Sequence, residues 1–331
     1  MMSDFQHKHA AHCESGVMSS LLSHNGLKLS EAMVFGLSGA MVFAYLPFIK
    51  MGGMPLIAYR MMPKAIIKGL QKNISIKMTM LTFSKPEEGT EALDALLAEG
   101  KIVGAQAAIY WLPYFPEEMR FHFNAHNLIV YAKEDQTYAI SDPVFQHTVT
   151  ADVKDLEKAR FNKGVMAPKG LLYYPSFVPA EVDFETIIPK TIKKTAKMML
   201  KTPVPIVGIR GIRYLARSIR KLGKRDRREA KLFLGHIVRM QEEVGTGGAG
   251  FRFVYASYLD EASILLGNSK LFEASKMMTE AGDQWRDFAL MIVKAIRPKK
   301  SEPIGYDLLA DQLDTIASSE AEVYRKLLKA F

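Results

Sequence analysis

Apolar positions at helical spacing, Val17, Leu21 and Leu22, predict a helix over Cys13 to His24, ended by Asn25-Gly26. Ser30 supplies an N-cap for a second helix beginning at Glu31. The next run, Ala32 to Ile49, holds eighteen residues without a charge, the length of a marginal membrane span. Gly36, Ser38, Gly39 and Pro47 interrupt it, and no polybasic flank follows. It reads better as a buried helix to Leu37, a glycine turn and a buried strand from Met41 to Leu46. Alternation from Ile74 to Phe83 predicts a strand, and Ala92, Leu93, Leu96 and Leu97 predict a helix over Pro86 to Gly100. The apolar run Ile102 to Trp111 suits a central strand.

The most specific local pattern is a β-hairpin. Asn124 to Ala132 and Thr137 to Asp142 are β-rich runs joined by Lys133-Glu-Asp-Gln136. A three-residue loop sets His126 directly across from Asp142; a four-residue loop makes them diagonal neighbours. Either way an imidazole and a carboxylate come within side-chain reach.

After Pro175 the period becomes helical. Residues 185 to 240 are helical in character and basic, broken by Pro203, Pro205 and Gly223, and three further helices follow the glycine-rich loop Gly245 to Gly250. That loop lacks the preceding strand and Lys-Ser/Thr ending of a nucleotide-binding loop, so a tight interdomain turn is its expected role. The expected layout is α+β over 1–176, then an all-helical domain over 177–331.

Composition adds two facts. The chain of 331 residues carries a formal net charge of +9, and Lys190 to Arg239 alone holds sixteen Lys or Arg against Asp226 and Glu229. The basic segment 190–239 therefore exceeds the whole net charge by itself. Arg210, Arg213, Arg217 and Arg220, with Ile209, Ile212, Leu215 and Ile219 between them, form a basic amphipathic helix, continued by Lys221, Lys224 and Arg225. Such a stripe suits an acidic protein or an anionic membrane; no nucleic-acid module is recognisable. The second fact is a single cysteine, Cys13, which excludes internal disulfides. His7, His9 and His12 do not make a compact metal pattern with it, so no metal is expected.

A cysteine opening a helix is set up for nucleophilic chemistry, because the free N–H groups favour its thiolate. His126 could take the thiol proton and Asp142 could fix the imidazole. A buried, inert cysteine is the alternative. Gln6, upstream, is either an oxyanion donor or a solvated residue. Tyr110, Trp111 and Tyr114 either line a substrate pocket or pack the core. His122 and Asn124 share a strand face with His126, as substrate contacts or as satisfied polar residues. Arg252 could pair with a carboxylate or phosphate, and is by default a solvated surface residue.

The ordered words His12-Cys-Glu-Ser-Gly16, Asn25-Gly-Leu-Lys-Leu-Ser-Glu-Ala32, Phe35-Gly-Leu-Ser-Gly39, Tyr110-Trp-Leu-Pro-Tyr114, Phe123-Asn-Ala-His126 and Ile140-Ser-Asp142 resemble the butirosin biosynthesis protein H N-terminal family. Gly245 to Arg252, Tyr255, Leu259-Asp-Glu-Ala262 and Trp285 resemble its usual C-terminal partner domain. The resemblance implies a papain-like cysteine acyltransferase or peptidase fold with an antiparallel sheet. It implies Cys13 as nucleophile, His126 as base and Asp142 as orienting acid. The implied reaction moves an acyl group from an acyl carrier protein or CoA thioester, through an S-acyl cysteine, to an amine or hydroxyl acceptor in natural-product or lipid biosynthesis. The donor would be an acyl-phosphopantetheine thioester, with no bound cofactor, and the basic helix would dock the carrier protein. Alternatives are a cysteine peptidase or amidase of the same fold, and a non-catalytic carrier- or membrane-binding module. The expected location is the cytoplasm, with peripheral contact to the inner membrane face.

Overall fold

The computed structural model describes residues 5–297 and 304–331. In chain order its main elements begin with α1 (Cys13–His24), α2 (Glu31–Ser38), β1 (Met41–Met51), β2 (Met54–Arg60), α3 (Ala65–Ile74), β3 (Lys77–Leu81) and α4 (Pro86–Ala98). There follow β4 (Val103–Ala107), β5 (His126–Glu134), β6 (Thr137–Ser141), β7 (Val149–Asp152), α5 (Val153–Arg160) and β8 (Leu172–Phe177). The remainder is helical: α6 (Phe184–Lys201), α7 (Gly208–Arg220), α8 (Arg227–Val238), α9 (Arg252–Leu266), α10 (Ser269–Ile296) and α11 (Tyr306–Leu328). No helix among the described residues is long and apolar enough to cross a membrane.

Two compact units result. One takes the chain up to Val34 with Pro63–Val182, and the other takes Phe35–Met62 with Asp183–Phe331. The sequence reading put the first 176 residues together; here residues 35–62 fold instead with the C-terminal helices. The physical reason is that β1 and β2 form a two-stranded sheet, which cannot bury its own apolar side chains. Phe43 and Tyr59 pack on Trp285, and Tyr45 packs on Tyr214 and Phe233.

The first unit is built on a six-stranded antiparallel sheet in the order β3-β8-β4-β5-β6-β7. Leu93 and Leu96 of α4 and Leu156 and Ala159 of α5 close a core against Val103, Ala105, Leu128, Val130, Ile140 and Leu172 of the strands. Helix α1 packs against β4, β5 and β8. The predicted strand at 102–111 ends at Ala107, and Ile109–Trp111 is one turn of 3-10 helix. A cysteine-headed helix on an antiparallel sheet fits the expected papain-like α+β class.

In the second unit α7 presents the predicted stripe. Ile209, Ile212, Leu215, Ala216 and Ile219 are buried, while Arg210, Arg213 and Arg217 are exposed. Arg252 is fully buried, contrary to its surface reading. Its guanidinium grips both oxygens of Glu320 at 2.8 and 3.1 Å, and Trp285 Nε1 donates to the same carboxylate at 2.6 Å. Removing one partner of such a pair strands the other charge, at a cost of about 3–5 kcal/mol. Close approach also fixes Gly36, where a methyl group would meet the Tyr258 ring at 2.0 Å. The Gly245 to Gly250 loop lies within this unit, with Glu242 accepting the Ala249 N–H at 3.1 Å.

Candidate active site

Parity of the β5–β6 hairpin decides which side chains meet. The loop is two residues, Asp135 and Gln136, not the three or four expected. Glu134 pairs with Thr137, Lys133 with Tyr138 and Ala132 with Ala139. Continued unchanged, that register would put Asp142 across from Ile129, on the face away from His126, because strand side chains alternate. A bulge between Val130 and Ala132 makes Tyr131 the extra residue, and beyond it Val130 pairs with Ile140 and Ile129 with Ser141. Asp142, one residue past β6, then falls across from Leu128, diagonal to His126 and on its face.

The contact is direct. His126 Nε2 and Asp142 Oδ2 are 2.6 Å apart, and both residues are almost fully buried. Asp142 is held from two other directions: Tyr114 donates its hydroxyl to Oδ2 at 3.0 Å, and the Val144 N–H donates to Oδ1 at 3.1 Å. Phe115 packs edge-on to the His126 ring, and Phe145 closes against both Tyr114 and Phe115. This aromatic wall keeps water from competing for the pair.

Cys13 opens α1 and keeps 7% of its surface accessible. Its thiol meets three groups: His126, His12, and the Asn127 amide, whose Nδ2 lies 3.7 Å from Sγ. Asn127 is itself fixed, donating to Ala125 O at 3.1 Å and accepting from Tyr173 at 2.9 Å. Burial by itself raises the Cys13 thiol, but His12 and then His126, through charge and hydrogen bonding, hold it well below its ordinary value. For His126, burial opposes the charge, yet Asp142 and then Cys13 push it up to about 10. Both shifts favour the thiolate–imidazolium form of the pair. Below the thiol's depressed value the sulfur is protonated; above about 10 the imidazolium is lost. Alkylation of Cys13 by iodoacetamide should accordingly reach its plateau far on the acid side of a free thiol, whose midpoint is about 8.5. A midpoint at that ordinary value would contradict the ion pair.

The other predicted residues divide. Tyr114 joins the site as a support of Asp142. Tyr110 and Trp111 are exposed and in edge contact, and Tyr110 stacks on the exposed ring of His122 at 4.3 Å. Trp111 Nε1 donates to Asn162, which donates to Asn124, and Asn124 donates to Lys163 O and Val165 O. Asn124 is thus a loop tie. Gln6 is exposed, because its neighbour His7 turns inward to Ser141 Oγ and Phe145 O in an extended segment. The side-chain amide at the sulfur is Asn127, not Gln6. Position 127 was visible only as the residue after the histidine, and alternation would have turned it to the other face.

Of the basic residues, Arg220 is engaged internally, pairing with Asp311 and Asp314 of α11 at 2.5 and 2.9 Å. Arg217 lies over the Tyr214 ring, and Arg210 donates to Pro203 O at 3.3 Å. Arg213, Lys221, Lys224 and Arg225 are exposed, and α6 adds exposed Lys190, Lys194, Lys197 and Lys201. Among the described residues no cluster of three or more His, Cys, Asp or Glu is arranged to hold a metal.

Residues 12–143 match the family described as butirosin biosynthesis protein H, N-terminal, and residues 154–327 match a domain of unknown function, DUF4872. The second match spans more than half of the chain, which belongs to that domain family. The first match begins at His12 and ends at Pro143, so it encloses Cys13, His126 and Asp142. A C39-like peptidase from Bacillus anthracis, known from its crystal structure, aligns over 54% of this chain and 98% of its own at 14% identity. Its TM-score of 0.38 is too low to argue from. No curated protein matches the chain. The N-terminal match and the site it encloses together mark the chain as a cysteine-based enzyme.

Proposed function

We propose that the protein is an acyltransferase that carries its acyl group on Cys13. The observation that carries this reading is the 2.6 Å bond of His126 to Asp142 beside a thiol held as thiolate at the head of α1. The thiolate attacks a thioester carbonyl, and the departing thiolate takes the proton of the His126 imidazolium. Thioester is exchanged for thioester, so the S-acyl enzyme forms at little thermodynamic cost. Neutral His126 then removes a proton from an amine or hydroxyl as it attacks, and the amide or ester leaves Cys13 as thiolate. A deeply recessed sulfur suits a donor at the end of a thin arm, which favours an acyl-phosphopantetheine thioester on an acyl carrier protein or CoA. Exposed Arg213, Lys221, Lys224 and Arg225 would meet the acidic carrier, or an anionic membrane face if the product is a lipid.

Incubation with an acyl carrier protein bearing a labelled acyl-phosphopantetheine should transfer the label to Cys13, mapped by peptide mass. Adding an amine acceptor should then discharge it. Cleavage of peptides or simple amides without any acyl-enzyme from thioesters would replace this reading with that of a peptidase or amidase.

A further inference from the structure

Strand parity sorts the side chains of the six-stranded sheet between two faces. Val103 and Ala105 of β4, Leu128 and Val130 of β5 and Leu172 of β8 join Leu93 of α4 and Leu156 of α5 in one core. Alternation turns Gly104, Asn127 and Tyr173 to the opposite face, and α1 packs against these same three strands. Tyr173 lies two strands from Asn127, with β4 between them. Gly104 pairs with Tyr173, and a methyl group on it would meet the tyrosine ring at 2.4 Å. Glycine inside a strand marks such a close approach. With no side chain in its way on the middle strand, Tyr173 reaches across and donates its hydroxyl to Asn127 Oδ1 at 2.9 Å. Burial, with Glu14 and Cys13 nearby, keeps that hydroxyl protonated. The amide then has one orientation. Its Nδ2 carries two protons, one directed to Ala125 O at 3.1 Å and one to Cys13 Sγ at 3.7 Å, within reach of the larger sulfur atom. Turned over, the amide would set its oxygen against the Ala125 carbonyl and against the sulfur.

We propose that Asn127 is a hydrogen-bond donor to the Cys13 sulfur that favours its thiolate, aimed by Tyr173 reaching across β4 at Gly104. The inference rests on Cys13 being the nucleophile. Hydrogen bonds to a charged acceptor are the strong ones, and a bond made to the charged form favours that form. The N–H is worth most while the sulfur is an anion and least once the sulfur carries an acyl group. Asn127 therefore moves no proton; it sets how much thiolate stands ready. The titratable groups around the thiol are His126 of β5 with Asp142 behind it, His12 and Glu14 beside it in the chain, and Tyr173 of β8, while Lys64 at the head of α3 faces Glu14. Unlike these, the amide has the same charge at every pH. Its loss should displace the ionisation of Cys13 without adding a new titration.

Alkylation of Cys13 by iodoacetamide reads the thiolate directly and needs no substrate. Asn127→Ala should lower the alkylation rate on the acid limb of the pH profile about tenfold or more, the loss of one hydrogen bond to a charged group. Tyr173→Phe keeps the ring over Gly104 and removes only the hydroxyl that aims the amide; its profile should move in the same direction by less. A profile for N127A that overlays wild type would overturn the proposal. Should N127A fail to fold, the side-chain NH2 signals of Asn127 in the wild-type protein decide instead. One of the two protons should shift as Cys13 ionises and lose that dependence once the sulfur is alkylated; two protons indifferent to both would overturn the proposal. A wild-type Cys13 that ionises like a free thiol would sink the nucleophile reading itself, an outcome distinct from an unchanged profile in N127A.

Discussion

Cys13→Ala is expected to yield a folded protein that forms no acyl-enzyme and turns over at least about 10,000-fold more slowly, as when the nucleophile of a triad is removed. The fold should survive because the change removes one atom from the first position of α1, whose cap comes from His12 and not from the cysteine. An atom-sized loss at a nearly buried site costs about 1 kcal/mol. Chemistry has no such tolerance: no other thiol exists in the chain to accept the acyl group. Intact-protein mass after exposure to an acyl-phosphopantetheine thioester gives the answer directly. Wild type should gain the acyl mass and C13A should not. Equal labelling of the variant would move the nucleophile elsewhere.

Asp142→Asn should lower kcat by about 1,000- to 10,000-fold with little change in fold, the size of effect that follows when an orienting carboxylate becomes an amide. Asparagine can still accept the Val144 N–H on its one side-chain oxygen, so the turn at Pro143 is kept, while its NH2 group stands where Oδ2 accepts from Tyr114 and meets His126. Toward His126, however, its amide would donate where the carboxylate accepts. The ring would then carry its proton on Nδ1, the nitrogen that must take the thiol's. Losing the carboxylate also removes the largest influence that raises His126 against burial. Both effects predict that the alkylation midpoint of Cys13 in D142N moves toward that of an ordinary thiol. A fall of less than tenfold in kcat would show that Asp142 is structural.

The helices with strong apolar periodicity, α4 and α7, were legible from sequence, because each buries one face and leaves the other exposed, whereas α1 was legible although Cys13 to Leu22 are buried all round. The meeting of His126 with Asp142 was legible too, but through the wrong loop. A two-residue turn and a bulge at Tyr131 arrive at the parity that a longer loop was expected to give. A bulge leaves no reliable mark in a single sequence, since it is settled by how the two strands pair. Asn127 and His12 escaped for a different reason. Asn127 meets the thiol only through a tertiary contact, and His12, although the chain neighbour of Cys13, does not stand out there by residue type. Residues 35–62 were misgrouped because an uncharged run declares that it will be buried without declaring by what.

That division of the chain bears on how the protein is made. Residues 35–62 leave the ribosome early, yet the helices that cover them lie beyond Val182. At roughly 5–20 residues per second, the intervening stretch 63–182 delays that cover by on the order of ten seconds. For that interval Phe43, Tyr45 and Tyr59 are nascent-chain surface, a natural place for a chaperone to wait. Shortening the chain after the sheet would make the wait permanent.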